Sequence, residues 1–198
     1  MKKIWLILIP AVIVVYVITQ SSGSDEVYIQ EIQSFWKERN EFFQSSEASP
    51  FIQKNEEHKE VAYFEPNSDY RVSGKLSRFT KRETLALGNS DGTTTTYLKF
   101  ANVNFKIKDK PCSLLILKAL GFGNQYLLAF GDATSGESTY GGGRYLDVVI
   151  GKSDLLTLDF NKAYNPYCAY FDDFTCPLPP IENLLEVSIE AGEKNYPH

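Results

Sequence analysis

The stretch that decides the fold is Tyr70 to Leu76, YRVSGKL, in which Tyr70, Val72, Gly74 and Leu76 alternate with Arg71, Ser73 and Lys75. A period of two sends one set of side chains to a core and the other to water, which predicts a half-buried strand. Working outward, Thr84–Leu87 runs into Asn89, Ser90, Asp91 and Gly92, and the apolar pattern resumes over Thr93–Phe100, as in a hairpin. Asn102–Ile107, Ser113–Leu120, Tyr126–Phe130, Arg144–Ile150, Leu155–Phe160 and Leu184–Glu190 are further strand candidates, separated by Gly, Pro, Asp and Asn. Short strands with no helices between them predict a mainly β fold, an antiparallel sandwich or barrel rather than βαβ units.

Before the strands, Tyr28, Ile32, Phe35, Trp36, Phe42 and Phe43 recur at helical spacing with charged and amide side chains between them. This predicts an amino-terminal amphipathic helix over 24–44, capped by Ser24, with Asp25 and Glu26 at the positive end of its dipole. Its aromatic stripe is expected to face the following domain. Ser45–Lys59 reads as a loop or a second short helix, with His58 solvated between Glu57 and Lys59. The expected organisation is one globular domain over 24–198, mainly β from 63 onward.

Residues 1–22 carry a different signal. Lys2 and Lys3 precede an uncharged apolar run, Ile4–Ile18, which gives way to Thr19, Gln20, Ser21 and Ser22. This is the pattern of a membrane anchor or a cleaved secretory signal. No Ala-x-Ala site follows it, and the flanking charges orient the amino end toward the cytoplasm. The expected location is the cell envelope, with the domain anchored outside the cytoplasm or secreted to the periplasm.

Composition narrows the function classes. The 198 residues are 43% apolar and 23% charged, enough for one well-buried core. With 25 acidic against 20 basic residues, the net charge of −5 argues against a nucleic-acid partner. Two histidines and three cysteines cannot build a His-rich or four-cysteine zinc site. Familiar catalytic and nucleotide-binding signatures fail on spacing. Gly151, Lys152 and Ser153 lack the earlier glycine of a phosphate loop, Gly141–Gly143 lack a following helix, and no Gly-x-Ser-x-Gly elbow is present. Asp132, Ala133 and Thr134 do not form the Asp-Thr-Gly of an aspartic protease.

Two stretches stand out: DATSGESTYGGGRYLD, Asp132–Asp147, and LDFNKAYNPYCAYFDDFTCPLPPIEN, Leu158–Asn183. Their density of Asp, Asn, Tyr and Arg suits a polar pocket on a rigid scaffold. Three readings are open. Asp132 and Glu137 can organise turns while Arg144 pairs with a carboxylate such as Asp159, and Asn161 and Asn165 satisfy loop backbone. Alternatively, Arg144, Tyr140, Tyr145, Asn161, Tyr164 and Asn165 bind a small anionic or hydroxyl-rich ligand. In the third reading Asp132, Glu137 and Asp159 supply an acid and base for a carboxylate-dependent hydrolase. An envelope scaffold that binds a partner protein is a further alternative. A hard cation on the same three carboxylates is conceivable, but no calcium-loop spacing is present, and no metal or cofactor is implied.

Cys168 and Cys176 are a candidate disulfide, leaving Cys112 over, although three buried thiols fit the sequence equally. Along these stretches the sequence resembles the bacterial and archaeal domain of unknown function 1684 family, from Tyr28 to about Tyr196. The resemblance rests on Tyr70, Arg71, Val72 and Gly74, then on Asp132, Thr134, Gly136, Glu137, Tyr140, Arg144 and Tyr145. It continues through Leu158–Asn161, Ala163–Pro166, Cys168, Cys176–Pro180, Asn183 and Ala191–Lys194. It implies relatives without implying an activity, cofactor or catalytic residue.

Overall fold

The computed structural model describes residues 25–121, 123 and 125–197. The expected membrane segment and the Ser24 cap lie outside these residues. Among the described residues no helix is long and apolar enough to cross a membrane. Helix α1 spans 25–45, matching the periodicity. Tyr28, Ile32 and Phe43 are buried, and Trp36 and Arg39 are half-buried on the same stripe. A short helix, α2 (Pro50–Lys54), follows; the Ser49 side chain caps it by accepting from the Phe51 N–H at 3.2 Å. His58 departs from the solvated expectation. It packs 5.1 Å from the Phe43 ring, 4.7 Å from Phe51 and 6.1 Å from Tyr196, because the aromatic stripe continues past the helix and folds the loop back on itself.

The strands are β1 (Arg71–Arg78), β2 (Thr84–Gly88), β3 (Thr94–Ile107), β4 (Lys110–Ala119), β5 (Tyr126–Leu127), β6 (Ala129–Phe130), β7 (Arg144–Tyr145) and β8 (Leu155–Asp159). The main sheet is antiparallel in the order β5-β4-β3-β1-β8, and β2 pairs with the first half of β3 on the same side as β1. The expected hairpin is present, with Thr84 opposite Leu98 and Gly88 opposite Thr94. The two predicted strands Thr93–Phe100 and Asn102–Ile107 are one long strand, its pairing with β4 shifted between Lys99 and Ala101. An extra residue of this kind lets one strand bend and serve two partners.

The sheet does not close into a barrel. Ala101, Val103, Phe105 and Ile107 of β3, Leu114 and Ile116 of β4, and Leu156 and Leu158 of β8 turn to the main core. There they meet Phe130, Leu146, Phe160, Val187 and Ile189 from the irregular carboxyl-terminal half. Fully burying one such side chain contributes roughly 1.5–3 kcal/mol, and this cluster is larger than the other two. Leu115 and Leu117 of β4 face a smaller cluster with Leu87 behind the sheet. β6 and β7 form a separate two-stranded ribbon.

Two expected strands are largely absent. Only Arg144 and Tyr145 of the 144–150 stretch pair as a strand, and 184–190 forms no regular strand. The latter stretch and its continuation find another partner. Backbone pairing with residues 131–133 holds the first part of the stretch, Leu185 N donating to the Gly131 carbonyl at 2.8 Å and Ala133 N to the Val187 carbonyl at 3.1 Å, and the Arg144 side chain takes over beyond it. The carbonyls of Ile189 and Ala191, alternate residues of the extended chain, and of Glu193, beyond a bend at Gly192, all accept from the Arg144 guanidinium. Gly192 sits between the last two of these carbonyls with φ +76°, where an added Cβ would lie 2.7 Å from the Phe160 carbonyl oxygen.

Candidate functional site

Most of the singled-out polar residues fall into three buried networks, and others line an open cavity. In the first network Arg144 is wholly buried on β7. Its Nη2 donates to Asp132 Oδ2 at 2.8 Å and to the Ile189 carbonyl at 2.9 Å, while Nη1 serves Ala191 and Glu193. The other Asp132 oxygen accepts from Thr134 N at 2.8 Å, Thr134 Oγ1 at 2.6 Å and Ile189 N at 3.3 Å. The carboxylate that pairs with Arg144 is therefore Asp132, and not Asp159. The guanidinium offers no free fork to a ligand.

The second network centres on Asn161, also wholly buried at the end of β8. Its amide nitrogen donates to the Asn67 carbonyl and contacts the Tyr28 hydroxyl, each at 2.8 Å, and its amide oxygen accepts from Asn67 N at 2.9 Å. Tyr28 in turn donates to Asp159 Oδ1 at 2.8 Å, and the Trp36 indole donates to the Asn161 carbonyl at 2.9 Å. Asn161 and Asp159 thus fasten α1 to the sheet. Burial first, then the Asp159 carboxylate, push the Tyr28 phenol well above its ordinary range, so it remains a donor.

Glu193, which no sequence motif marked as functional, is the hub of the third. One of its oxygens bonds to Arg39 Nε, and the other accepts from Asn165 N at 2.7 Å and the Tyr170 hydroxyl at 2.8 Å. Asn165 is wholly buried and donates to the Lys194 carbonyl at 2.8 Å. Arg39 was legible in retrospect: it is a charged residue on the buried stripe of α1, and such a position needs a buried partner.

The three candidate catalytic carboxylates do not share a cleft. Asp132 belongs to the first network and Asp159 to the second. Glu137 is exposed, and its backbone carbonyl accepts from Asn195.

The two singled-out stretches nonetheless meet, around a cavity of about 360 Å³. Tyr145 and Asp147 come from the first stretch, and Tyr164–Tyr167 and Phe174–Pro177 from the second, with Arg39 reaching in from α1. Tyr164 donates to Asp147 Oδ1 at 2.8 Å, and the Arg39 guanidinium lies 4.4 Å from the Tyr164 ring centroid. Tyr145 donates to the Pro177 carbonyl at 2.7 Å and meets Tyr164 edge to face. Burial holds both phenols far above their ordinary range, so they present uncharged aromatic faces. Asp147 is exposed at the rim, whereas the Arg39 charge is matched by Glu193 beneath it. Residues 56–194 match the family model described as "Protein of unknown function (DUF1684)".

The chain belongs to the DUF1684 family. It is similar to the solution NMR structure of an uncharacterised protein from Haloarcula marismortui, with 33% identity and a TM-score of 0.63, covering 87% of this chain and 96% of that one. No curated protein matches the chain. In this DUF1684 domain Tyr145, Tyr164 and Asn165 of the expected ligand-binding set line the cavity. Tyr140 lies instead against Cys168, its hydroxyl 3.4 Å from the Cys168 carbonyl, and Arg144 and Asn161 serve the buried networks. Cys168 and Cys176 are neighbouring free thiols rather than a bridge, and Cys112 is free as well. Among the described residues no group of three or more His, Cys, Asp or Glu could hold a metal ion.

Proposed function

We propose that this protein is a binding module held outside the cytoplasmic membrane by residues 1–22, and that the cavity between Tyr145 and Phe174 takes a small hydroxyl-rich ligand. The observation that carries the reading is the meeting of two segments, far apart in sequence, around an aromatic-walled hollow. Its volume of about 360 Å³ falls within the range of small-molecule sites. Tyr145 and Tyr164 supply ring faces for the C–H surface of a sugar or polyol, and Asp147 at the rim supplies an acceptor. Of the two ligand classes the sequence suggests, the hydroxyl-rich one fits better. Glu193 already neutralises Arg39, and the exposed carboxylate of Asp147 repels anions.

A thermal-shift and titration screen of the full chain with monosaccharides, disaccharides, polyols, carboxylates and phosphates tests this. A neutral hydroxylated compound is expected to raise Tm, and Asp147→Ala combined with Tyr145→Ala to abolish the rise. A screen in which only phosphates or carboxylates bind, or in which nothing does, overturns it.

A further inference from the structure

Behind the cavity wall lies a feature the ligand reading does not use. Cys168 sits in a single 3-10 turn, Tyr167–Ala169, and Cys176 eight positions on. The Cys168 N–H donates to Cys176 Sγ at 3.1 Å, which places the two thiols side by side. Each end of the intervening loop is fixed independently. Ser90 N donates to the Cys176 carbonyl at 2.9 Å and Cys176 N donates to Ser90 Oγ at 3.1 Å, which ties Cys176 to the β2–β3 hairpin. At the other end, Tyr170 is buried among Phe43, Phe51 and Tyr196. The sulfurs are therefore brought together by the fold without a covalent link. The Tyr140 hydroxyl stands 3.8 Å from Cys168 Sγ as an additional donor. The Cys176 thiol first, then Tyr140 and Ser90, draw the Cys168 thiol below the ordinary thiol range against the effect of burial. Cys112 moves the other way, pushed up by burial, and so acts as an internal control.

We propose that Cys168 and Cys176 form a reversible thiol–disulfide pair oxidised by small hydroperoxides, Cys168 attacking and Cys176 resolving. Both cysteines are nearly closed to solvent, with Cys176 in the cavity wall, so a small oxidant reaches them and a protein oxidant does not. In the first step the Cys168 thiolate attacks one peroxide oxygen. The O–O bond breaks, the departing oxygen takes a proton to leave as water or an alcohol, and Cys168 becomes a sulfenic acid. In the second, Cys176 sulfur attacks Cys168 sulfur. The S–S bond forms, the S–O bond breaks, and hydroxide leaves as water with the proton from Cys176. The protein loses two electrons, and the peroxide gains them. An external dithiol reverses the oxidation by exchange.

The test treats the full chain with one equivalent of hydrogen peroxide at neutral pH, alkylates remaining thiols and maps the peptides by mass spectrometry. The expected product is a Cys168–Cys176 linked peptide about 2 Da lighter than the dithiol, with Cys112 still alkylated, and reduction restores both thiols. Cys176→Ser is expected to stop at a dimedone-reactive Cys168. Cys112 oxidising as fast as Cys168 in the unmutated chain, or Cys168 and Cys176 both remaining fully alkylated, overturns the proposal. Neither result depends on a variant folding, and neither depends on the cavity having a ligand.

Discussion

Arg144 and Tyr145 are consecutive residues of the same two-residue strand, and the strand's alternation sends them to opposite sides. Arg144 enters the core, where Asp132 and three carbonyls from the carboxyl-terminal segment enclose it. Tyr145 enters the wall of the cavity beside Tyr164. One polar motif thus contains both a fastening that holds the fold and a surface for a ligand. Residue type alone does not say which is which. A guanidinium can grip a ligand, but one with no exposed surface, whose two terminal nitrogens both donate within the domain, grips its own chain.

Substitutions on the two sides of β7 are expected to separate stability from binding. The largest effect is expected at Arg144. Arg144→Ala leaves the buried Asp132 carboxylate and the carbonyls of 189, 191 and 193 without their donor, at a cost of about 3–5 kcal/mol in urea denaturation. A loss below about 1 kcal/mol would mean that the carboxyl-terminal segment is not held by this side chain. Gly192→Ala, at φ +76° among the carbonyls of that segment, is expected to cost about 1–3 kcal/mol by the same measurement.

On the cavity side the stability effects shrink. Tyr164→Phe removes one hydrogen bond to Asp147 and is expected to cost about 0.5–1.5 kcal/mol, with Asp147→Asn within about 0.5 kcal/mol of the parent. Both are expected to weaken the ligand-induced rise in Tm, which Arg144 variants that still fold should retain.

The smallest effect concerns pH. Burial first, then the nearby Arg39 charge, lower the folded-state pKa of His58 below its ordinary 6.5, although Glu60 opposes this. As pH falls through 6.5 the unfolded chain takes up a proton that the folded chain resists. The stability that His58 contributes is therefore present above that pH and lost below it. His58→Phe is expected to flatten the dependence of Tm on pH between about 7 and 5. An unchanged slope would show that His58 titrates freely.

Much of the fold was legible in the sequence wherever local periodicity and burial agree. The helical stripe of α1, the alternation in β1 and the Asn89–Gly92 turn each carry their own signal within a few residues, and the structure has all three. The stretch 184–190 misled because its apolar alternation is that of a strand. Its extended backbone is satisfied in part by Arg144, and a pattern of side chains does not encode which group will accept or donate. The site was half legible. Tyr145, Tyr164 and Asn165 were found by their density, whereas Arg39 and Glu193 lie 154 positions apart and signal nothing until they are paired.

The mainly β character, the amino-terminal helix, the family and the two polar stretches follow from residue order, because each rests on short-range pattern. Folding in three dimensions sends Asp132, Asp159 and Glu137 to different places and makes Arg144 a core residue. It alone brought Tyr145, Asp147, Tyr164 and Arg39 around one hollow. The reason is physical: a hydrogen-bond partner is selected by distance in the folded chain, and burial turns the same polar side chain from a ligand contact into a fastening of the fold.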